Sequence, residues 1–148
     1  MTSNTNIQYA VCHLQRGSGN DSGMSAHIER RTADGKTYVP TNADKSPTHL
    51  NRELIRLPDG VVNRTASIQY RIDHAGLHRK VGSNQTKAVR IILTGTHEQM
   101  ARLEREGRLE AWTVANLRWL KETFGEENLV SCVLHMDEKT PHLHATVV

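Results

Sequence analysis

The run His135-Met136-Asp137-Glu138-Lys139-Thr140-Pro141-His142-Leu143-His144 is the densest set of metal-ligating side chains in the chain. Side chains alternate along a strand, so His142 and His144 point to one face. A short turn returns the preceding segment alongside, and His135 at its end supplies a third imidazole. Three neutral imidazoles hold a divalent transition metal and leave coordination positions open. Glu138 lies in the turn, where it can serve as a further ligand, as an acceptor behind the ligands or as a proton-transfer group. An open three-histidine ion either activates water or polarises a phosphate and offsets its developing charge. The choice depends on whether the protein brings its own nucleophile.

The elements that must position these residues follow from periodicity. Residues 129–135 and 142–148 read as strands and should form an antiparallel hairpin. Residues 87–95 read as a strand ending at Gly95. Residues 97–124 form a long amphipathic helical region broken near Gly107, with Leu109, Trp112 and Trp119 on one face. Trp112 and Trp119 are seven residues apart and are expected in the core. Upstream, 7–14 reads as a strand after a loose tail at 1–6. Residues 17–23 form a turn, and 24–32 a short helix with Ser22 as its cap. The stretch 33–66 is polar and carries three of the four prolines. A connection of that length is usually functional. Residues 67–79 read as a helix with Ile68, Ile72, Ala75 and Leu77 as its apolar set. The expected fold is α+β, an antiparallel sheet flanked by helices. The last residues still read as strand, so the domain, 7–148, is expected to continue beyond Val148.

Composition narrows the class. At 148 residues, 36% hydrophobic and 24% charged, the chain suits one globular domain. No apolar run approaches the roughly 20 residues of a membrane span, and the polar start offers no secretion signal. Cys12 and Cys132 lie in apolar runs without CxxC spacing and read as two buried thiols in a reducing cytosol. The net charge is +3. Arginines and lysines crowd residues 30–90 while acids crowd 98–127, which fits contact of the front half with phosphates. His49, Asn51 and Glu53 alternate, so an extended backbone puts them on one face.

The motif HxDExTPHxH resembles the metal motif of the Mob/Pre plasmid mobilisation relaxases, of the HUH endonuclease class. Upstream, Ala26-His27-Ile28-Glu29-Arg30 resembles their HxER segment. Asn42 and Asp44, followed by His49-Leu50-Asn51-Arg52-Glu53-Leu54, resemble their NxD…HLNxEL segment. The opening YAVCHLQR is also similar, so the likeness runs from Tyr9 to Val148. Residues 80–87, KVGSNQTK, depart from it where the family commonly shows arginines, which implies a different origin sequence.

The resemblance implies a strand-specific nickase acting at an origin of transfer, single-stranded or hairpin, with a divalent metal cofactor, Mn2+ or Mg2+ first and zinc or another transition metal as the alternative. It implies a covalent 5′-phosphate adduct, with His27 as nucleophile and Glu29 and Glu138 as orienting or proton-transfer groups. Metal ligands are then His135, His142 and His144. Arg30, Arg52, His49 and Asn51 are the expected DNA contacts. Accessory mobilisation and coupling proteins and a bacterial cytoplasmic location follow from the same likeness. Tyrosine is the rival nucleophile: Tyr38 and Tyr70 fall on segments that can be exposed, Tyr9 in an apolar strand. Two rival functions stand beside this one. A non-catalytic or replication-type HUH DNA-binding domain would keep the ligands without nicking. A two-histidine phosphoesterase would need two HxT motifs, and only His144-Ala145-Thr146 occurs.

Overall fold

The local sequence signals that start and stop each helix decide what the sheet carries. In the computed structural model the described residues are 10–17, 22–32, 34, 36–38 and 50–148. The elements are β1 (Ala10–Gly17), α1 (Ser22–Glu29), β2 (Arg52–Glu53), α2 (Arg64–Asp73), β3 (Ala88–Gly95), α3 (His97–Arg105), α4 (Leu109–Phe124), β4 (Leu129–His135) and β5 (His142–Val147). Thr96 caps α3 in a reciprocal capping box with Gln99. Gly107, at φ 66°, takes the left-handed turn that separates α3 from α4, at the expected break.

Three boundaries differ from the sequence expectation. The described part of β1 reaches Gly17, beyond the expected 14, and residues 7–9 and the tail lie outside the described residues. Ser22 is the first residue of α1 rather than its cap, and the helix ends at Glu29. The helix expected at 67–79 is α2 at 64–73. Asn63 caps it, with Oδ1 accepting the Ala66 N–H at 2.8 Å, and the chain leaves the helix at His74, before Gly76 at φ 68°. Ala75 and Leu77, expected on its apolar face, are exposed.

All neighbouring strands are antiparallel, in the order β1-β3-β5-β4-β2. Alternation divides the chemistry from the packing. Leu143, Ala145 and Val147 of β5 join Ile91 and Leu93 of β3 and Leu134 of β4, and Leu120, Trp112, Leu117 and Phe124 of α4 cover them. Burying each large apolar side chain there contributes roughly 1.5–3 kcal/mol. His142, His144 and Thr146 face the other way, toward α1 and α2. There the Arg64 side chain donates to Thr146 Oγ1 at 2.7 Å and to Ser25 Oγ at 3.2 Å. A register irregularity between Leu129 and Ser131 turns Val130 toward Ile68 of α2.

Two core expectations are corrected. Trp119 is 43% exposed, because Trp112, Leu117 and Leu120 already occupy the buried stripe of α4. Cys12 is exposed on the edge strand β1, and only Cys132 is buried.

Candidate metal centre and nucleophile

The β4–β5 hairpin ends on a register pair, His135 opposite His142, and His144 follows two residues on with its side chain on the same face. Each of the three histidines offers one nitrogen, and the three atoms lie within 4.8 Å of one another. His135 and His144 are buried and His142 is half-buried. The Thr94 hydroxyl of β3 donates to the Pro141 carbonyl at 2.8 Å and pins the turn to the sheet.

Hydrogen bonds select the tautomers. His135 Nε2 lies 2.7 Å from the Ile28 carbonyl, and His142 Nδ1 lies 3.0 Å from the Thr140 carbonyl. Carbonyls only accept, so each of those nitrogens carries the proton. The remaining nitrogens, His135 Nδ1 and His142 Nε2, then face each other at 3.1 Å as acceptors. Glu138 Oε2 closes on the same point, 3.2 Å from His142 Nε2 and 3.8 Å from His135 Nδ1. His144 Nδ1 is buried with no hydrogen-bond partner among the described residues. Converging acceptors of this kind need a positive charge between them, which a metal ion supplies. The residues present therefore fit a divalent cation.

Electrostatics keep the ligands in their binding forms. Burial lowers His135 to about 4, and burial with the neighbouring His135 and His142 rings lowers His144 to about 2. His142 beside Oε2, with the Arg30 guanidinium also lowering it, holds the Glu138 carboxyl down at about 2. Glu138 is thus ionised and an acceptor, which favours a role as ligand or base over one as acid.

α1 brings His27 to the same place. Its ring centroid lies 6.4 Å from the rings of both His135 and His144. His27, Glu138, Thr140, His142 and His144 line one cavity of about 250 Å³. Burial, and next Arg30, lower the His27 pKa from its ordinary value, so the ring favours its neutral form. Tyr38 and Tyr70 are not in that cavity lining. Tyr38 is exposed beside the Arg31–Thr37 bridge, and Tyr70 stacks on His74 at 4.0 Å. Tyr9 lies outside the described residues.

The remaining expected site residues are distributed differently. Glu29 does not turn to His27: its carboxylate accepts the backbone N–H of Arg64 at the start of α2 and the Arg31 side chain. There it complements the positive end of that helix. Arg30 is 5% exposed and faces inward to Asp137 and Glu138, so it is not displayed for a phosphate. Arg52 is exposed and pairs with Glu110 at 2.5 Å. Asn51 accepts the Met136 N–H at 2.6 Å and braces the turn, and its Nδ2 is buried with no partner among the described residues. His49 lies outside the described residues. The hydroxyl of Thr146 accepts from Arg64, so the threonine of the lone HxT motif serves packing while its histidine, His144, faces the candidate metal centre. Asp137 joins the site although no local pattern marks it: it lies in the HxDExTPHxH motif, and its partner Arg30 is 107 positions away.

A hairpin that turns three histidines to one point, faced by a fourth histidine on a helix, is an arrangement that fits a metal-dependent domain with its own nucleophile. The chain belongs to the plasmid recombination enzyme family, Mob_Pre, whose pattern matches residues 6–148. It is 26% identical over 144 residues to plasmid recombination enzyme type 3 of Staphylococcus aureus, covering 96% of this chain and 34% of that protein. It is 30% identical over 111 residues to a 65 kDa protein of Zymomonas mobilis subsp. mobilis, covering 72% of this chain and 18% of that one. The chain thus spans about a third of the staphylococcal enzyme's length. Among solved structures it is similar to the Mn-bound MobM relaxase domain in complex with plasmid pMV158 oriT DNA. The TM-score is 0.77 at 25% identity, over 95% of this chain and 70% of that one. A second structure of that domain, with a 3′-thiophosphate oligonucleotide, is 27% identical with the same TM-score of 0.77. No helix among the described residues is long and apolar enough to cross a membrane.

Proposed function

We propose that this chain is the nicking module of a plasmid-mobilising relaxase. It cuts one strand of origin-of-transfer DNA, single-stranded or hairpin, by transesterification and keeps the 5′ phosphate on His27. The observation that carries this reading is the His27 ring 6.4 Å from the rings of two candidate ligands, across one cavity. A phosphate in that cavity lies between the attacking group and the cation site.

His27 attacks as a neutral imidazole, and its depressed pKa keeps that form populated. A P–N bond forms as the P–O3′ bond breaks, roughly in line. A divalent ion in the three-histidine site, Mn2+ or Mg2+, supplies the charge that offsets the phosphate oxygens in the transition state. The proton the imidazole releases balances the one the leaving 3′ oxygen gains, and ionised Glu138 accepts and relays it. The phosphoramidate retains the bond energy, so a 3′ hydroxyl can reverse the step and rejoin the strand.

Residues 7–148 are the nicking domain and 1–6 its tail. Exposed Arg52 contacts phosphate, Asn51 holds the turn, and His49 keeps its expected DNA role from the likeness to the family. The enzyme works in the bacterial cytoplasm, where the plasmid is, with accessory mobilisation and coupling proteins.

The test uses Mn2+ and a library of single-stranded oligonucleotides with a randomised core. Protein-linked DNA is recovered and the linked residue mapped by mass spectrometry. The expected adduct is on His27, absent from His27→Ala and retained in Tyr38→Phe. An adduct on Tyr38, or cleavage without any protein-linked strand, overturns the reading.

A further inference from the structure

Arg30 is the one non-glycine residue among those described with a left-handed backbone, at φ 56°. It follows α1 directly and its side chain runs inward, 5% exposed. Nε and Nη2 donate to the two oxygens of Asp137 at 2.8 and 2.9 Å, and Nη2 also reaches Glu138 Oε2 at 3.0 Å. Nη1 donates to the backbone carbonyl of His27 itself. Asp137 is 1% exposed.

This arrangement is a costly way to end a helix. A left-handed conformation is disfavoured for a residue with a Cβ, and glycine would adopt it freely. A buried guanidinium is tolerated only when its donors find acceptors. What the pair adds is a connection across the molecule. It joins the helix that bears His27 to the turn between His135 and His142. A second tie acts beside it, from His135 Nε2 to the Ile28 carbonyl at 2.7 Å. Glu29 meanwhile holds the start of α2. The segment 27–30 is therefore gripped from the metal turn and from α2 together.

We propose that Arg30, acting with Asp137, is a positioning latch for phosphoryl transfer: it holds His27 at one separation from the three-histidine centre. The inference rests on reading His27 as the nucleophile. Lysine cannot take over, since a single ammonium cannot grip both Asp137 oxygens and the His27 carbonyl as a planar fork does.

The experiment uses the full chain with Arg30→Lys, and Asp137→Asn as a second variant should the first not fold. Melting curves establish folding. Mn2+ alone is titrated for affinity, and paramagnetic relaxation of the His27 ring by bound Mn2+ reports their separation without any DNA. Single-turnover nicking uses an oligonucleotide recovered as the His27 adduct. A misplacement near 1 Å costs on the order of 100-fold, so the expected result is a rate lowered about 10- to 100-fold. Mn2+ and oligonucleotide affinities should stay within about threefold, and His27 relaxation should weaken and disperse, as for a reacting group that is displaced rather than removed. Wild-type nicking by a folded variant, a loss explained wholly by weaker Mn2+ binding, or unchanged His27 relaxation overturns the latch. If the wild-type protein forms no His27 adduct, the nickase reading fails, while the relaxation measurement still decides whether Arg30 sets the distance.

Discussion

His135 and His142 face each other as a register pair across the β4–β5 hairpin, with Nδ1 of one 3.1 Å from Nε2 of the other. Both outward nitrogens are committed to backbone carbonyls, so the inward pair are acceptors that suit a cation between them. The predictions begin from that confrontation.

Metal binding should stabilise the fold. A cation that binds only the native state contributes about 2.7 kcal/mol at a hundred times its Kd. For a domain of this size that is a rise of roughly 5–10 °C in Tm. Mn2+ should produce the rise, EDTA should reverse it, and His144→Ala should remove it. A Tm indifferent to Mn2+ in scanning calorimetry would count against the site.

Acid should destabilise the metal-free protein in a defined window. His135 and His144 have folded-state pKa values of about 4 and about 2, below the ordinary 6.5. Below pH 6.5 the unfolded chain binds more protons than the folded one, so stability is full above pH 6.5 and falls as pH drops toward 4. Glu138, lowered to about 2, adds its own loss from about pH 4.5 downward. Urea melts in EDTA at pH 7, 6, 5 and 4 read this directly, and a flat midpoint between pH 7 and 5 is the contrary result.

Nicking should tolerate mild acid when metal is kept saturating. The His27 pKa is lowered, and the proposed nucleophile is its neutral form, so the rate should halve at a pH below 6.5. A single-turnover profile that halves above pH 6.5 would point to another group.

The two thiols should behave differently. Burial pushes the Cys132 thiol up to about 12, whereas Cys12 is exposed on β1. Ellman's reagent should titrate one equivalent in the native protein and two in guanidinium, and Cys12→Ser should abolish the native signal.

Arg52 separates a DNA contact from a surface ion pair. Its exposed bridge to Glu110 is worth at most about 1 kcal/mol, so Arg52→Ala should hardly change stability. A phosphate contact would instead appear as weaker oligonucleotide binding with the salt slope reduced by about one. Unchanged binding at both 50 and 200 mM salt would remove Arg52 from the interface.

The second half of the chain was the more legible because its periodicities are clean. KAVRIILTG and LVSCVLH alternate or run apolar as strands, and Gly107 marks the break between α3 and α4. The boundaries of α1 and α2 were misread because caps and backbone conformation set them: Asn63 starts α2 earlier, and the left-handed Arg30 stops α1. Trp119 and Cys12 were misplaced because periodicity names a face without saying whether anything covers it. β1 is an edge, and the buried stripe of α4 runs through Trp112, Leu117 and Leu120.

By itself the sequence marked the candidate ligand set, since the spacing of His142 and His144 and the short turn back to His135 are local geometry. It also carried, through the likeness to a family, the expectation that His27 is the attacking residue. Only the tertiary structure decided the rest, because those contacts join residues far apart in the chain. An arginine beside a helix end reads as a surface charge until Asp137, 107 positions away, is folded onto it. Glu29 reads as a partner for His27 until α2 arrives at its carboxylate. Glu138 reads as any of three groups until His142 and Arg30 hold it ionised beside the candidate ligand nitrogens.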